Sequence, residues 1–351
     1  MPKRSLAAIL LAAFVLVLGI VAAGCGSDNE SSSGGGASSG SQGQKKAIKV
    51  GLVTDIGGLN DRSFNQLANQ GLERAQSELG IDGKVLTSKS DADYVPNLSS
   101  LAQQKYDLVI GVGFLMSDAM DTVATKFPNT NFAIIDFSQS ALKHKPTNVR
   151  GLLFSEQEAG YLVGYLAGLE VKAKGGDQVI SSVGGQKIPP VDHYIAGYQA
   201  GAKKANPKIK TLNDYSQDFV DQAKCKEIAL NHIAEGAQVV FQVAGQCGLG
   251  ALDAAKEKGV LGIGVDADQG YLGSHILTSA QKKVDVAVFD TVKAVQDGSF
   301  KGGEDQIFDL KNDGVGYGKL NAAGQKYADK VDQIKQQITD GKISDIPDTV
   351  K

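Results

Sequence analysis

Two carboxylates stand where a small molecule could meet them. Asp55 follows the apolar run Ile48 to Val53 closely, and Asp266 follows Leu261 to Val265. In open α/β sheets ligands bind beyond the carboxyl ends of strands, so both are candidate hydrogen-bond acceptors. Close behind Asp55 come Asp61, Phe64 and Asn65. An aromatic near a site mouth can stack on a flat ring, and a carboxamide offers a donor and an acceptor to a heterocycle edge. Each residue also has a structural role open to it. Asp61 can cap the following helix, Phe64 can pack into the core, and Asp266 can cap or close a turn.

Glycines accompany these positions. Gly57 and Gly58 let the chain turn tightly after the first run, and Gly245, Gly248 and Gly250 would let backbone approach a ligand. The second set is not a dinucleotide fingerprint, because its spacing is wrong and no acidic follower is evident. With four histidines and no Cys-x-x-Cys or His-x-x-x-His pattern, nothing points to a zinc site, and no cofactor is implied. A formal charge of −3, no tryptophan and no basic stripe argue against a nucleic-acid partner.

These residues need elements to hold them. Strands are expected at 48–53, 84–87, 108–112 and 131–135, with helices at 63–79, 95–104 and 118–127. In the first helix Phe64, Leu67, Ala68, Gly71, Leu72, Ala75 and Leu79 share one face. The pattern then restarts, with strands at 149–153, 179–183, 210–212, 239–243 and 261–265. Helices are expected between them at 156–171, 191–205, 220–235 and 250–258. The tail reads as strands at 276–278 and 307–310 and helices at 283–296 and 326–340. Short apolar runs alternating with amphipathic helices mean buried parallel sheet, and two such series mean two doubly wound α/β lobes. The chain is expected to cross between lobes near 150, 265 and 300.

The first residues set the compartment. Lys3 and Arg4 precede an almost wholly apolar stretch, Leu6 to Ala23, which reads as an export signal over 1–24 rather than a domain helix. An uncleaved membrane anchor is the alternative, since the stretch is long enough to span a bilayer. Val21-Ala22-Ala23-Gly24-Cys25 resembles a lipobox, with Ala22 in place of the usual leucine, and this implies a lipidated Cys25. Residues 25–46 are then a lipid-bearing cysteine and a flexible tether, too poor in apolar side chains to offset the entropy of ordering. Cys225 and Cys247 remain, an even pair in an oxidising compartment. A disulfide between them would stabilise by about 3 kcal/mol in the chain-entropy model, and two buried free thiols are the alternative.

The chain resembles the basic membrane protein family of lipoproteins, of the purine nucleoside receptor type. The resemblance runs from Lys49 to about Gly318. It is carried by Val53-Thr54-Asp55-Ile56-Gly57-Gly58 with Asp61-Arg62-Ser63-Phe64-Asn65, by Gly111-Val112-Gly113-Phe114, and by Glu158-Ala159-Gly160-Tyr161-Leu162-Val163-Gly164. Further matches are Gly262-Ile263-Gly264-Val265-Asp266-Ala267-Asp268-Gln269, Leu277-Thr278-Ser279-Ala280 with Lys282-Lys283-Val284-Asp285, and Gly314-Val315-Gly316-Tyr317. It implies a type I periplasmic-binding-protein fold whose lobes close over a ligand in a hinged cleft. Lobe 1 would hold 47–150 plus about 265–300, and lobe 2 would hold 151–264 plus about 301–351.

By this resemblance Phe64 stacks on a purine, Asn65 and Asp118 lie near the ligand, and Asp55 faces the base. Asp266 holds the ribose hydroxyls and Lys282 lies near the sugar. A second stacking aromatic is expected, with Phe219 and Tyr194 as candidates. The implied function is capture of a nucleoside at the outer face of a bacterial cell membrane and delivery to an ABC permease. A receptor for riboflavin or a free nucleobase, and a sensory or surface lipoprotein without transport, are the alternatives. An enzyme is not expected, because the acidic Asp-x-Asp-x-x-x-Asp-Asp cluster of nucleoside hydrolases is missing. The chain departs from the family pattern at Cys225 and Cys247 together, which favours their pairing. Mass spectrometry of the mature protein without reductant is expected to find no free thiol at either cysteine; two free thiols would refute the pairing.

Overall fold

The computed structural model describes residues 47–351; the export signal, Cys25 and the tether expected at 1–46 lie outside the described residues. The first series runs β1 (Lys49–Val53), α1 (Phe64–Leu79), β2 (Asp82–Leu86), α2 (Tyr94–Gln103), β3 (Leu108–Gly111), α3 (Ser117–Lys126), β4 (Asn131–Ile135) and β5 (Val149–Phe154). The second runs α4 (Glu156–Lys174), β6 (Val179–Gly184), α5 (Pro189–Ala205), β7 (Lys210–Tyr215), α6 (Gln222–Ala234), β8 (Ala237–Val243), α7 (Gly248–Lys258), β9 (Leu261–Asp266) and β10 (Ile276–Lys282). The tail adds α8 (Val284–Gln296), β11 (Glu304–Phe308), β12 (Val315–Tyr317), α9 (Ala322–Gln325) and α10 (Ala328–Thr339).

The strands form two sheets, ordered β11-β5-β4-β3-β1-β2 and β12-β10-β9-β8-β6-β7. β12 runs antiparallel to β10, and the other pairings are parallel. Every residue of β3 and of β6 is buried, as expected of strands covered on both faces by helices.

The crossings between sheets differ from those expected. β10 belongs to the second sheet, not to lobe 1, and continues four residues past the expected end at Thr278. Its last residues are held on both sides: Ala280 and Gln281 pair with Val265 and Asp266, and Ala280 to Lys282 with β12. The crossing therefore falls at Lys282–Val284 rather than near 265. α8 returns to the first lobe, where Gly71 of α1 lies against the carbonyl of Asp285; a methyl group there would sit 2.4 Å from that oxygen. β11 completes the first sheet, and the last crossing falls between Phe308 and Val315, not near 300. The first crossing lies between β5 and α4. β12 was not foreseen, because three residues carry too little periodicity to announce a strand.

α4 and α5 meet almost backbone to backbone. Cβ atoms placed on Gly160, Gly164, Gly197 and Gly201 would lie 2.2, 2.0, 2.1 and 2.0 Å from carbonyl oxygens of the facing helix. This contact fixes Glu156, at the start of α4, beside His193 and Tyr194 of α5. An alanine inside a helix ordinarily adds about 0.5–1 kcal/mol over glycine. At Gly164 the overlap reverses the sign, so Gly164→Ala is expected to lower the urea-unfolding free energy by about 1–3 kcal/mol. An unchanged or higher midpoint would refute the close contact.

Candidate ligand-binding cleft

A cavity opens between the carboxyl ends of the two sheets. Its empty volume is about 610 Å³, open solvent at the mouth included. Asp55, Phe64, Asn65 and Asp136 line it from the first lobe; Tyr194, Phe219, Asp266 and Lys282 line it from the second.

The loop after β1 is held by its own polar groups. The Asn65 Oδ1 accepts the Asp55 N–H at 2.9 Å, and its Nδ2 lies 3.3 Å from the Ile56 carbonyl. Asn65 lines the cleft, yet its amide already braces the loop. Asp61 accepts the N–H groups of Ser63, Asn65 and Gln66 at 3.0, 2.7 and 3.1 Å, so it satisfies the free amides at the start of α1. Asp55 accepts the Ile56 N–H at 2.7 Å and the Tyr94 hydroxyl. Burial raises its pKa to about 6, against the opposing hydrogen bonds from Tyr94 and Ile56. Gly113 at φ 113° brings the β3–α3 turn against this carboxylate; a side chain there would meet Asp55 Oδ2 at 2.5 Å.

Asp266 ends β9 in the left-handed region, at φ 58°, which is rare for a residue with a side chain. Gln269 holds this turn: its Oε1 accepts the Val265 N–H at 3.2 Å, and its Nε2 donates to the Arg62 carbonyl of the first lobe at 3.2 Å. The Asp266 carboxylate accepts the Tyr194 hydroxyl at 3.1 Å and lies 2.8 Å from Ser63 Oγ, again across the lobes. Burial raises its pKa, with Lys282 opposing.

Lys282 ends β10 and its side chain is 2 % exposed. Its ammonium donates to Asp136 at 2.7 Å and to Glu156 at 2.9 Å. It also stands 5.0 Å from the ring centroids of both Phe64 and Phe154. Burial works against its charge, but the carboxylates of Asp136, Glu156 and Asp266 outweigh burial and hold its pKa above the ordinary lysine value. Burial lifts Asp136 to about 7, against the pull of Lys282. Glu156 moves the other way. Burial raises it, but Lys282 and His193 Nδ1, 3.1 Å away, outweigh that and lower it. Glu156 is met by Lys282 and by the His193 imidazole, and Asp136 by Lys282 alone.

The structure thus gathers Asp55, Phe64, Asn65, Asp266, Lys282, Phe219 and Tyr194 around one cavity. It does not bring Asp118 there: that residue is exposed in the first turn of α3, outside the cavity lining. Asp136, the first residue beyond β4, occupies the strand-tip position instead. Of the two candidate second aromatics, Tyr194 is 2 % exposed and its hydroxyl is engaged with Asp266, whereas Phe219 is only partly buried. Asp136, Glu156 and Tyr94 were missed from sequence; the strand-tip rule that selected Asp55 and Asp266 would have found Asp136.

Two doubly wound lobes meeting over a polar floor with aromatic walls define a solute-binding protein of the type I periplasmic class. Residues 48–349 match the Bmp family model, described as ABC transporter substrate-binding protein PnrA-like, and the chain belongs to that family of transport receptors. It is 36% identical to the ABC transporter nucleoside-binding protein BmpA of Lactococcus lactis subsp. cremoris, over 98% of this chain and 99% of that one. It is 34% identical to the CD4+ T-cell-stimulating antigen of Listeria innocua, over 98% of each chain. Among solved structures, the ABC transporter solute-binding protein from Aeropyrum pernix matches with a TM-score of 0.77 and 29% identity, over 86% of this chain and 94% of that one.

Between the ordinary aspartate value near 4 and about 6, the folded chain keeps a proton on Asp55 that the unfolded chain has released. Stability from this group is therefore lost as pH rises through that window. Unfolding of wild type and Asp55→Asn is to be compared at about pH 5 and about pH 7.5. The variant should gain stability relative to wild type at the higher pH; a difference independent of pH would contradict the raised value.

Proposed function

We propose that the cleft binds a nucleoside, foremost a purine nucleoside, outside the cytoplasm, and that the loaded protein delivers it to an ABC import permease. The observation that carries this reading is that Phe64 of the first lobe and Phe219 of the second line one cavity with the strand-tip carboxylate Asp266. A base between the two rings gains stacking without regard to its edge. Asp266 has accepting capacity beyond its two present partners, enough to take the vicinal hydroxyls of a ribose. Lys282 offsets the negative charge of the floor, and Asp55 and Asp136 line the cavity beside it with pKa values raised by burial. The Lactococcus relative is named for nucleoside binding, which supports the same choice.

Ligand contacts from both lobes favour the conformation in which Ser63 meets Asp266 and Asp136 meets Lys282, and a permease would recognise that form. Cys25 would carry the lipid that keeps the receptor at the outer face of the membrane.

Calorimetric titration of the mature protein with guanosine, inosine, adenosine, free bases and riboflavin tests the reading. At least one purine nucleoside should bind, and Asp266→Ala should weaken it about 10- to 100-fold, the loss of a charge-assisted hydrogen-bond pair. Binding of riboflavin or a free base alone, or undiminished nucleoside binding by Asp266→Ala, would overturn the assignment.

A further inference from the structure

Cys225 and Cys247 form a disulfide, with Cα atoms 5.6 Å apart. Neither lines the cleft, but both adjoin loops that do. Cys225 lies in the first turn of α6 and Cys247 directly precedes α7. Phe219 belongs to the loop between β7 and α6; Gly245 and Gln246 belong to the loop between β8 and α7.

The Phe219 loop leaves the sheet through the N–H groups of Ser216 and Gln217, which donate to Gly184 and Gly185 at 2.9 and 3.0 Å. Asp218 then folds the loop on itself, accepting the N–H groups of Val220 and Asp221 at 2.8 and 3.0 Å. The Phe219 carbonyl accepts the Cys247 N–H at 3.0 Å, tying the two cleft loops together. The Phe219 ring lies close over Gly185, where a Cβ would stand 2.3 Å from it.

Beneath these loops is a satellite core of Val183, Ala229, Val240, Ala244, Ala251 and neighbouring small residues around the two cysteines. Ile228, Leu230, Ile233 and Val260 pack against this cluster, and the disulfide is the covalent tie between α6 and α7 beside the loops that line the cleft. The main core of the second lobe, with Tyr198 and Phe241, is a separate cluster. We infer that the Cys225–Cys247 disulfide is a positioning element for the ligand: it holds Phe219 and Gln246 at the cleft wall, and opening it weakens binding while the lobe stays folded. The ligand assumed is the nucleoside of the preceding reading.

The test is a double-mutant cycle on the full mature protein. Guanosine affinity is measured for wild type, Phe219→Ala, Cys225→Ser/Cys247→Ser and the triple variant, with circular dichroism confirming the fold. Removing the disulfide should weaken binding about tenfold when Phe219 is present, the lower part of what one stacking face contributes. It should matter little once Phe219 is gone, because the two act through one wall. No loss, or an equal loss in both backgrounds, would overturn the inference. If the cysteine variant does not fold, wild type and Phe219→Ala reduced at low temperature take its place. If oxidised wild type binds no guanosine, inosine or adenosine takes its place; if none of the three binds, the nucleoside reading fails on its own, and hydrogen exchange decides the inference. Faster exchange at 216–221 and Cys247 on reduction, with the first lobe unchanged, supports it; unchanged exchange overturns it.

Discussion

The cleft depends on one buried ammonium. Lys282 could not stay charged among the rings of Phe64, Phe154 and Tyr194 unless carboxylates met it, because an unpaired buried charge costs several kcal/mol. Asp136 supplies one from the first lobe and Glu156 another from the start of α4. Glu156 and Lys282 each stand where the chain crosses between lobes. Lys282 and Asp136 therefore line the floor of the cavity and join its two halves, while Glu156, outside the lining, holds the same ammonium from the start of α4. A buried pair of this kind adds little net stability over apolar packing, but removing one partner costs about 3–5 kcal/mol. The network is better understood as fixing geometry than as strengthening the fold.

Around that floor the remaining polar groups are arranged so that few are left without partners. Tyr94 and the Ile56 N–H engage Asp55, Ser63 and Tyr194 engage Asp266, and Gln269 holds the turn that aims Asp266 inward. The close α4–α5 contact, possible only because glycines face backbone carbonyls, sets Tyr194 and His193 at the heights their carboxylate partners require. Apolar walls and a charged floor together suit a molecule with a flat face and a hydroxyl-bearing end.

Much of this was legible in the sequence. Short apolar runs and amphipathic helices placed most elements within a few residues, because burial on both faces of a parallel sheet leaves a strong pattern. Asp55, Phe64, Asn65, Asp266 and Lys282, residues the sequence singles out, all line the cavity. Asp118 lies outside the cavity lining for a local reason: a turn, Gly113 to Met116, intervenes after β3, and the residue beyond it emerges on an exposed helix face. Asp136 had the right position after Asn131–Ile135 but no motif drew attention to it. The lobe boundaries also moved, since a strand's sheet is decided by its partners rather than by its own composition.

The sequence by itself determined the alternation of strands and helices, the two-lobed class, the family, and the residue types at the strand tips. These follow from local periodicity and from motifs confined to short stretches of chain. Only the tertiary structure decided which charges meet. Lys282 reaches Asp136 across 146 residues and Glu156 across 126, and Ser63 reaches Asp266 across 203. No local pattern encodes such pairs, because they arise where separate elements converge, and it is that convergence that turns scattered polar residues into a single site.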